Sequence, residues 1–403
     1  MTSTVFAPAA PKAPARARPV RVAHINANFF AGAGGIMLRE ALALAGQGCA
    51  STILAPHGGT LLGRAEQAGL EVVRLDSLRG GRRIAISEVA TLRELTARLA
   101  EGNYDVVHTH GTKSGVLGRV AARRVGVRAI VHTLHGFPFH EFQFRATRAA
   151  LVTMERRLGR FTDYFLTDGT FVASEAVRLK IAPPDRIRAL ISPIDPVPPV
   201  SADRRRRARQ LLGLPQHAQV VGTTARIVAQ KAPLDMVEAF AALGRPDVYM
   251  VWIGEGELRA RTEELIRARG LTDRFLLIGE RSDVPQLLPA LDVFALSSLF
   301  EGLPCSVIEA MTCGIPVVAN AVNSVPEIVL AGKTGIVTRP KDPSSLARGI
   351  AYLLDHPHDA ARMAAAARDH VGQQFNPDAL GEELMDAYDT ALRFGSTRKS
   401  GRR

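Results

Sequence analysis

Short β-branched runs alternate with amphipathic segments along almost the whole of this chain, and nothing else in it restricts the fold as strongly. The runs are Val20–Ala27, Ala50–Ala55, Glu71–Leu75, Asp105–Thr109, Ala129–Leu134, Tyr164–Thr167 and Ile187–Ile191, then Val220–Thr224, Val248–Ile253, Phe275–Ile278, Val293–Leu296, Pro316–Ala319 and Gly335–Thr338. Helical patterns such as Ile36–Ala45 and Ile86–Ala100 lie between them. Such alternation predicts parallel sheets covered by helices on both faces. The pattern breaks at Pro193–Ser201, where four prolines in seven residues suit a stiff linker. The expected fold class is α/β, with two Rossmann-like, doubly wound parallel-sheet domains facing across a cleft. Ligands bind such sheets at the carboxyl ends of the strands.

At 403 residues the chain has the length of two or three domains. Residues 1–19, rich in Ala, Pro and Arg, read as a disordered tail without the apolar core of a secretory signal. An N-terminal domain is expected over 20–195, a linker over 196–203 and a C-terminal domain over 204–375. A final helix over 376–395, expected to cross back to the N-terminal domain, and a basic tail over 396–403 complete the chain. No apolar run approaches the roughly 18 residues a transmembrane helix needs. Cys49, Cys305 and Cys313 form no C-x-x-C pair, which argues against a disulfide framework or a structural zinc site and fits a reducing cytoplasm.

Lys and Arg number 51 against 39 acidic residues, a net charge of +12, which suits an anionic substrate, an anionic membrane surface or nucleic acid. The excess concentrates at Arg16, Arg18, Arg204–Arg207, Arg209 and the tail from Arg398. Only seven of the 51 are lysine, so Lys113 and Lys231 stand out from a composition-driven arginine background. One Trp and five Tyr offer few platforms for stacking bases, so no nucleic-acid partner is expected.

Leu299–Met311, read L-F-E-G-L-P-C-S-V-I-E-A-M, is the sharpest motif. It follows the run Val293–Leu296, and Pro304 suits the first turn of a helix. Backbone N–H groups near Leu303–Ser306 would then face an anion such as a diphosphate, which makes Gly302, Leu303, Pro304 and Cys305 donor-side candidates. Glu301 precedes that helix and Glu309 lies inside it. Two carboxylates beside an anion site fit hydroxyl groups, since they repel phosphate; an ordinary helix with a surface glutamate is the competing explanation. Arg226 and Lys231 fall in the loop after Val220–Thr224, on the ligand edge, where two cations can neutralise a leaving diphosphate. The glycine-rich stretch Ala31–Gly35 places Gly34 and Gly35 where backbone can approach a phosphate. His108 and His110 share one strand face by the period of two. No D-x-D triplet occurs, which removes one common metal–diphosphate device, and no metal site is expected.

The chain resembles the GT-B glycosyltransferases, specifically the retaining family four of that fold. Arg226 and Lys231, Gly254-Glu-Gly256, Gly279-Glu-Arg281, the Glu301/Glu309 pair, Gly314-Ile-Pro-Val-Val318 and Gly332-Lys-Thr-Gly335 carry the resemblance, which spans roughly 20–393. It implies a hexosyltransferase using a nucleotide-sugar donor, by default a UDP-sugar, and a sugar or lipid-linked acceptor, as in bacterial surface polysaccharide or glycolipid synthesis. It implies that Glu309 binds ribose, Glu301 the donor sugar, Arg226 and Lys231 the diphosphate, and the backbone around Arg281 the base. Gly34 and Gly35 then lie near the donor phosphates. His110 joins Glu301, Arg226 and Lys231 as a candidate catalytic residue, with Lys113, His135 and Gly136 on the acceptor side. No cofactor or metal is implied, and the location is cytoplasmic, with peripheral attachment to the inner membrane face. A sugar-nucleotide 2-epimerase on a similar fold is the nearest alternative, and a basic nucleic-acid-binding protein a more distant one.

Overall fold

In the computed structural model of the protein, residues 18–30, 32–79, 88–191, 197–374 and 377–400 are described. The chain divides into two compact units, one formed by residues up to Pro193 together with those from Asn376, the other by Ile194–Phe375.

The first unit holds seven strands: β1 Val20–Asn26, β2 Cys49–Pro56, β3 Glu71–Leu75, β4 Val106–His110, β5 Ala129–Leu134, β6 Tyr164–Thr167 and β7 Ile187–Ala189. They pair in the order 3-2-1-4-5-6-7, every adjacent pair parallel. The second unit holds six: β8 Gln219–Thr224, β9 Val248–Ile253, β10 Phe275–Gly279, β11 Val293–Leu296, β12 Val317–Asn320 and β13 Ile336–Thr338, in the order 10-9-8-11-12-13, again parallel throughout. Each run read as a strand appears within two residues of its expected bounds. β4, β5, β6, β11 and β12 are buried along their whole length. That is why they read as unbroken β-branched runs rather than alternating ones.

The helix Pro377–Ser400 packs on β5 and β6 and on the helix Ala33–Ala43, all within the first unit. Leu380, Leu384, Ala387, Tyr388 and Ala391 form its buried stripe, at the three-to-four-residue spacing of one helical face. The helix extends beyond the expected end at 395. Gly395 does not stop it, because a Cβ there would come within 1.9 Å of the Arg128 carbonyl oxygen, so the glycine serves close approach to the strand entry. The tail 1–19 and the prolines at 193 and 196 lie mostly outside the described residues. From Val197 on, the linker docks on the second unit: the Val200 amide donates to the Cys313 carbonyl at 3.0 Å.

Most of the arginine run is engaged rather than free. In the helix Ala202–Leu211, Arg204 donates to the Pro198 and Pro199 carbonyls, Arg205 and Arg209 pair with Asp292, and Arg206 pairs with Asp203. Arg209 is buried, and most of this charge is spent holding the helix to its own unit. Among the described residues no helix is long and apolar enough to cross a membrane.

Candidate active site

In each sheet the chain order reverses once, between β1 and β4 in the first unit and between β8 and β11 in the second. Loops leaving the strands on either side of a reversal run to opposite faces of the sheet and open a crevice at its carboxyl edge. In the second unit those loops carry Arg226, Lys231, Glu301 and Gly302–Pro304. In the first, Gly34 and Gly35 open the helix after β1, His110 ends β4, and Lys113 lies in the first turn of the helix Thr112–Val125 that follows it.

The loop after β8 is fixed by glycines. Gly254 has φ +145°, and a Cβ there would meet the Ala225 carbonyl oxygen at 2.1 Å; one on Gly256 would meet that of Ile227 at 2.3 Å. The strand-end turn 254–256 thus lies directly on 225–227, with Ile227 N–H bonded to the Glu255 carbonyl at 2.8 Å and Trp252 Nε1–H to that of Ala225 at 2.7 Å. This contact holds Arg226 at the edge with an exposed side chain. Gly254→Ala is therefore expected to lower the melting temperature through backbone strain of about 1–3 kcal/mol. It should also weaken nucleotide binding by displacing Arg226, a loss that calorimetry at a temperature where the variant is folded would detect.

Lys231 closes a short 3₁₀ turn, and its Nζ lies 2.5 Å from Glu301 Oε1, both side chains largely buried. Residues expected to face separate parts of a donor are thus paired with one another. Gln230 donates to the Phe300 carbonyl at 2.9 Å, Leu299 N–H to the Gln230 carbonyl at 2.8 Å, and Ser297 Oγ–H to the Lys231 carbonyl at 2.7 Å. Glu301 N–H is held by Asn323 Oδ1 at 2.8 Å. Two sequence-distant loops therefore form one rigid edge.

The helix after β11 spans Cys305–Cys313 with Pro304 as its N-cap, one position earlier than a first-turn proline. No side chain caps it and no acidic residue lies in its first turn, so its N-terminal end stays suited to an anion. Cys305 and Glu309 are half-buried on this helix, and Leu303 is buried before it. Arg281 makes a two-pronged contact with Asp283 at 2.8 and 2.7 Å, which engages its guanidinium and leaves the backbone of the turn for a ligand.

In the first unit Gly34 and Gly35 lie in the first turn of the helix Ala33–Ala43, also without a side-chain cap; Ala31 falls outside the described residues. Lys113, expected on the acceptor side, is instead buried, its Nζ 2.5 Å from Glu88 Oε1 and 3.2 Å from the Arg79 carbonyl. A buried ammonium requires such a partner, and the pair joins two neighbouring helices. His110 has no exposed surface either: its Nδ1 is 3.2 Å from His135 Nε2. His135, beside Gly136, retains partial exposure at the end of β5, and its Nδ1 lies 2.8 Å from Asp168 Oδ2 just past β6. Burial lowers the His135 pKa, but the Asp168 carboxylate, by charge and hydrogen bond, leaves it raised above the ordinary histidine value. Burial and the neighbouring histidines hold His110 well below that value, so it is neutral. Asp168 is the site residue that the sequence reading misses. Its one signal there is its position, immediately after a strand on the ligand edge.

The architecture and these loops match known proteins. The family model described as glycosyl transferases group 1 matches residues 204–370, and that described as glycosyl transferase 4-like domain matches 31–191. The UDP-Gal:alpha-D-GlcNAc-diphosphoundecaprenol alpha-1,3-galactosyltransferase of Escherichia coli is 29% identical over 309 residues, covering 75% of this chain and 80% of that one. The D-inositol 3-phosphate glycosyltransferase of Streptomyces scabiei is 33% identical over 312 residues, covering 72% and 69%. Among solved structures, HepE of Anabaena in complex with UDP and glucose superposes with a TM-score of 0.80 at 20% identity, covering 92% of this chain and 100% of that one. That likeness supports the GT-B fold. The sequence relatives and family models support more: the chain belongs to the group 1 glycosyltransferases.

Proposed function

We propose that the protein transfers a sugar, with retention, from a UDP-sugar to a hydroxyl of a lipid-linked acceptor in surface polysaccharide or glycolipid synthesis. The observation that carries this reading is the Lys231–Glu301 pair, beside exposed Arg226 and the uncapped helix Cys305–Cys313 at the β8/β11 reversal. An incoming diphosphate draws Lys231 off Glu301, so one event supplies a cation to the leaving group and frees a carboxylate for sugar hydroxyls. Arg226 and the first-turn N–H groups complete the anion site, Glu309 accepts from the ribose, and the backbone near Arg281 receives the base. As the glycosidic bond breaks, negative charge grows on the diphosphate, and fixed cations stabilise it more than they stabilise the bound donor. The leaving diphosphate then takes the proton of the incoming acceptor hydroxyl on the same face. Gly34 and Gly35 lie near the donor phosphates, His135 and Gly136 line the acceptor side, and His110 acts through His135 rather than by touching substrate.

The lipid-linked acceptor is suggested by the Escherichia coli relative, whose name specifies a diphosphoundecaprenol-linked sugar. Nucleotide release followed beside mass spectrometry of the product tests the proposal: release should occur only in step with glycoside formation. Because cations of the chain serve the diphosphate, turnover should not rise when Mg²⁺ or Mn²⁺ is added to an assay run without them. A strict requirement for either ion would place a metal at the diphosphate and contradict the assignment. Attachment to an anionic inner membrane surface is proposed to rest on the terminal arginines, since Arg204, Arg205 and Arg209 are engaged within their unit. Co-sedimentation with anionic vesicles should be lost on deleting residues 398–403 and at high salt.

A further inference from the structure

Three histidines of the first unit meet on one face of its sheet. His24 on β1 stands in register with His108 on β4, and His110 follows two positions on, so all three project to the same side. One ligand-type nitrogen from each lies within 4.8 Å of the other two, and all three side chains are buried. Glu40, from the helix Ala33–Ala43, brings Oε2 to 3.9 Å from both His108 Nδ1 and His110 Nε2. Neither ring nitrogen of His24 has a hydrogen-bond partner, nor do His110 Nε2 and Glu40 Oε2. Buried polar atoms without partners are costly, and here several converge on one place.

We propose that His24, His108, His110 and Glu40 form a closed transition-metal site, best suited to Zn²⁺, that fixes β1, β4 and the first helix of this unit. Three imidazoles and a carboxylate are an ordinary four-coordinate donor set for zinc. Zinc–nitrogen bonds of about 2.0–2.1 Å put tetrahedrally bound nitrogens roughly 3.3 Å apart, so the rings draw together as the ion enters. The surrounding contacts are those that orient ligating histidines. His108 Nε2 lies 2.7 Å from Thr133 Oγ1. His110 Nδ1 lies 3.2 Å from His135 Nε2, and His135 is in turn held by Asp168. Tyr388 Oη now lies 2.9 Å from His108 Nδ1, and metal entry displaces that hydrogen bond. Burial keeps the three rings neutral, with lone pairs available. The absence of cysteine pairs, which weighs against structural zinc in the sequence, does not bear on a site made of histidines. The site is enclosed within the first unit, so its role is structural, and His110 reaches the sheet edge only through His135.

The test uses the untagged full chain. Purified from zinc-sufficient cells, it should carry close to one zinc per chain by mass spectrometry and retain it through brief EDTA treatment. Produced in cobalt-supplemented minimal medium, it should show the visible absorption of tetrahedral Co²⁺. His24→Gln and His108→Asn should lose the ion, and their melting temperatures should no longer depend on the metal content of the medium. Should either variant not accumulate, the wild-type metal content and cobalt spectrum decide alone. Wild-type protein without bound metal and without a cobalt spectrum would overturn the proposal. So would a folded His24→Gln variant that still holds a full equivalent.

Discussion

Lys231→Met is expected to reduce turnover by about 10²–10³, the scale seen when a donor of charge stabilisation is removed from a transition state. The Lys231–Glu301 contact complicates that variant, because it also leaves a largely buried carboxylate without its cation. An unsatisfied buried group costs about 1–3 kcal/mol, so the melting temperature should fall by several degrees. Lys231→Met combined with Glu301→Gln separates the two effects. The neutral amide no longer needs a cation, so stability should return towards wild type while turnover stays low. Arg226→Lys should be impaired as well, without a change in melting, since lysine cannot reproduce the two-pronged contact of a guanidinium on a phosphate. Recovery of turnover along with stability in the double variant would reduce Lys231 to a structural residue.

Glu309→Ala should weaken nucleotide binding by about 1.5–3 kcal/mol, the scale of a hydrogen bond to a charged group, or roughly 10- to 150-fold in Kd. The half-buried position of Glu309 on the helix after β11 makes large structural loss unexpected. Glu301→Ala should differ in kind: affinity for free UDP should change little, while the intact sugar nucleotide loses both affinity and turnover. Calorimetry with UDP and with UDP-sugar distinguishes the two carboxylates. Unchanged affinity of Glu309→Ala for UDP and for GDP would remove the ribose assignment.

Much of the fold is legible in the sequence because parallel strands buried on both faces must be apolar throughout, and their helices must be amphipathic. Strand ends, in turn, locate the ligand loops, which is why Arg226, Lys231, Glu301 and the glycine-rich turn fall at the two reversals of strand order. Pairings across the sheet are not legible, since they depend on register. Nothing in the spacing of residues 24, 40, 108 and 110 announces that they converge, and His108-Thr-His110 alone is only half of a ligand set. Likewise Lys113 reads as an edge cation until Glu88, on another helix, is seen beside it. The run Arg204–Arg209 reads as a surface patch until Asp292 and the linker carbonyls are seen to engage Arg204, Arg205 and Arg209.

The most direct test of the central claim is a single incubation of the protein with UDP-sugars and a polyprenyl-diphosphate-linked sugar. UDP release would be followed together with the mass and anomeric configuration of the product. The account predicts UDP and a new glycoside in equal amounts, with the donor's anomeric configuration kept. Release of UDP with only free or epimerised sugar would contradict it, as would a glycoside of inverted configuration.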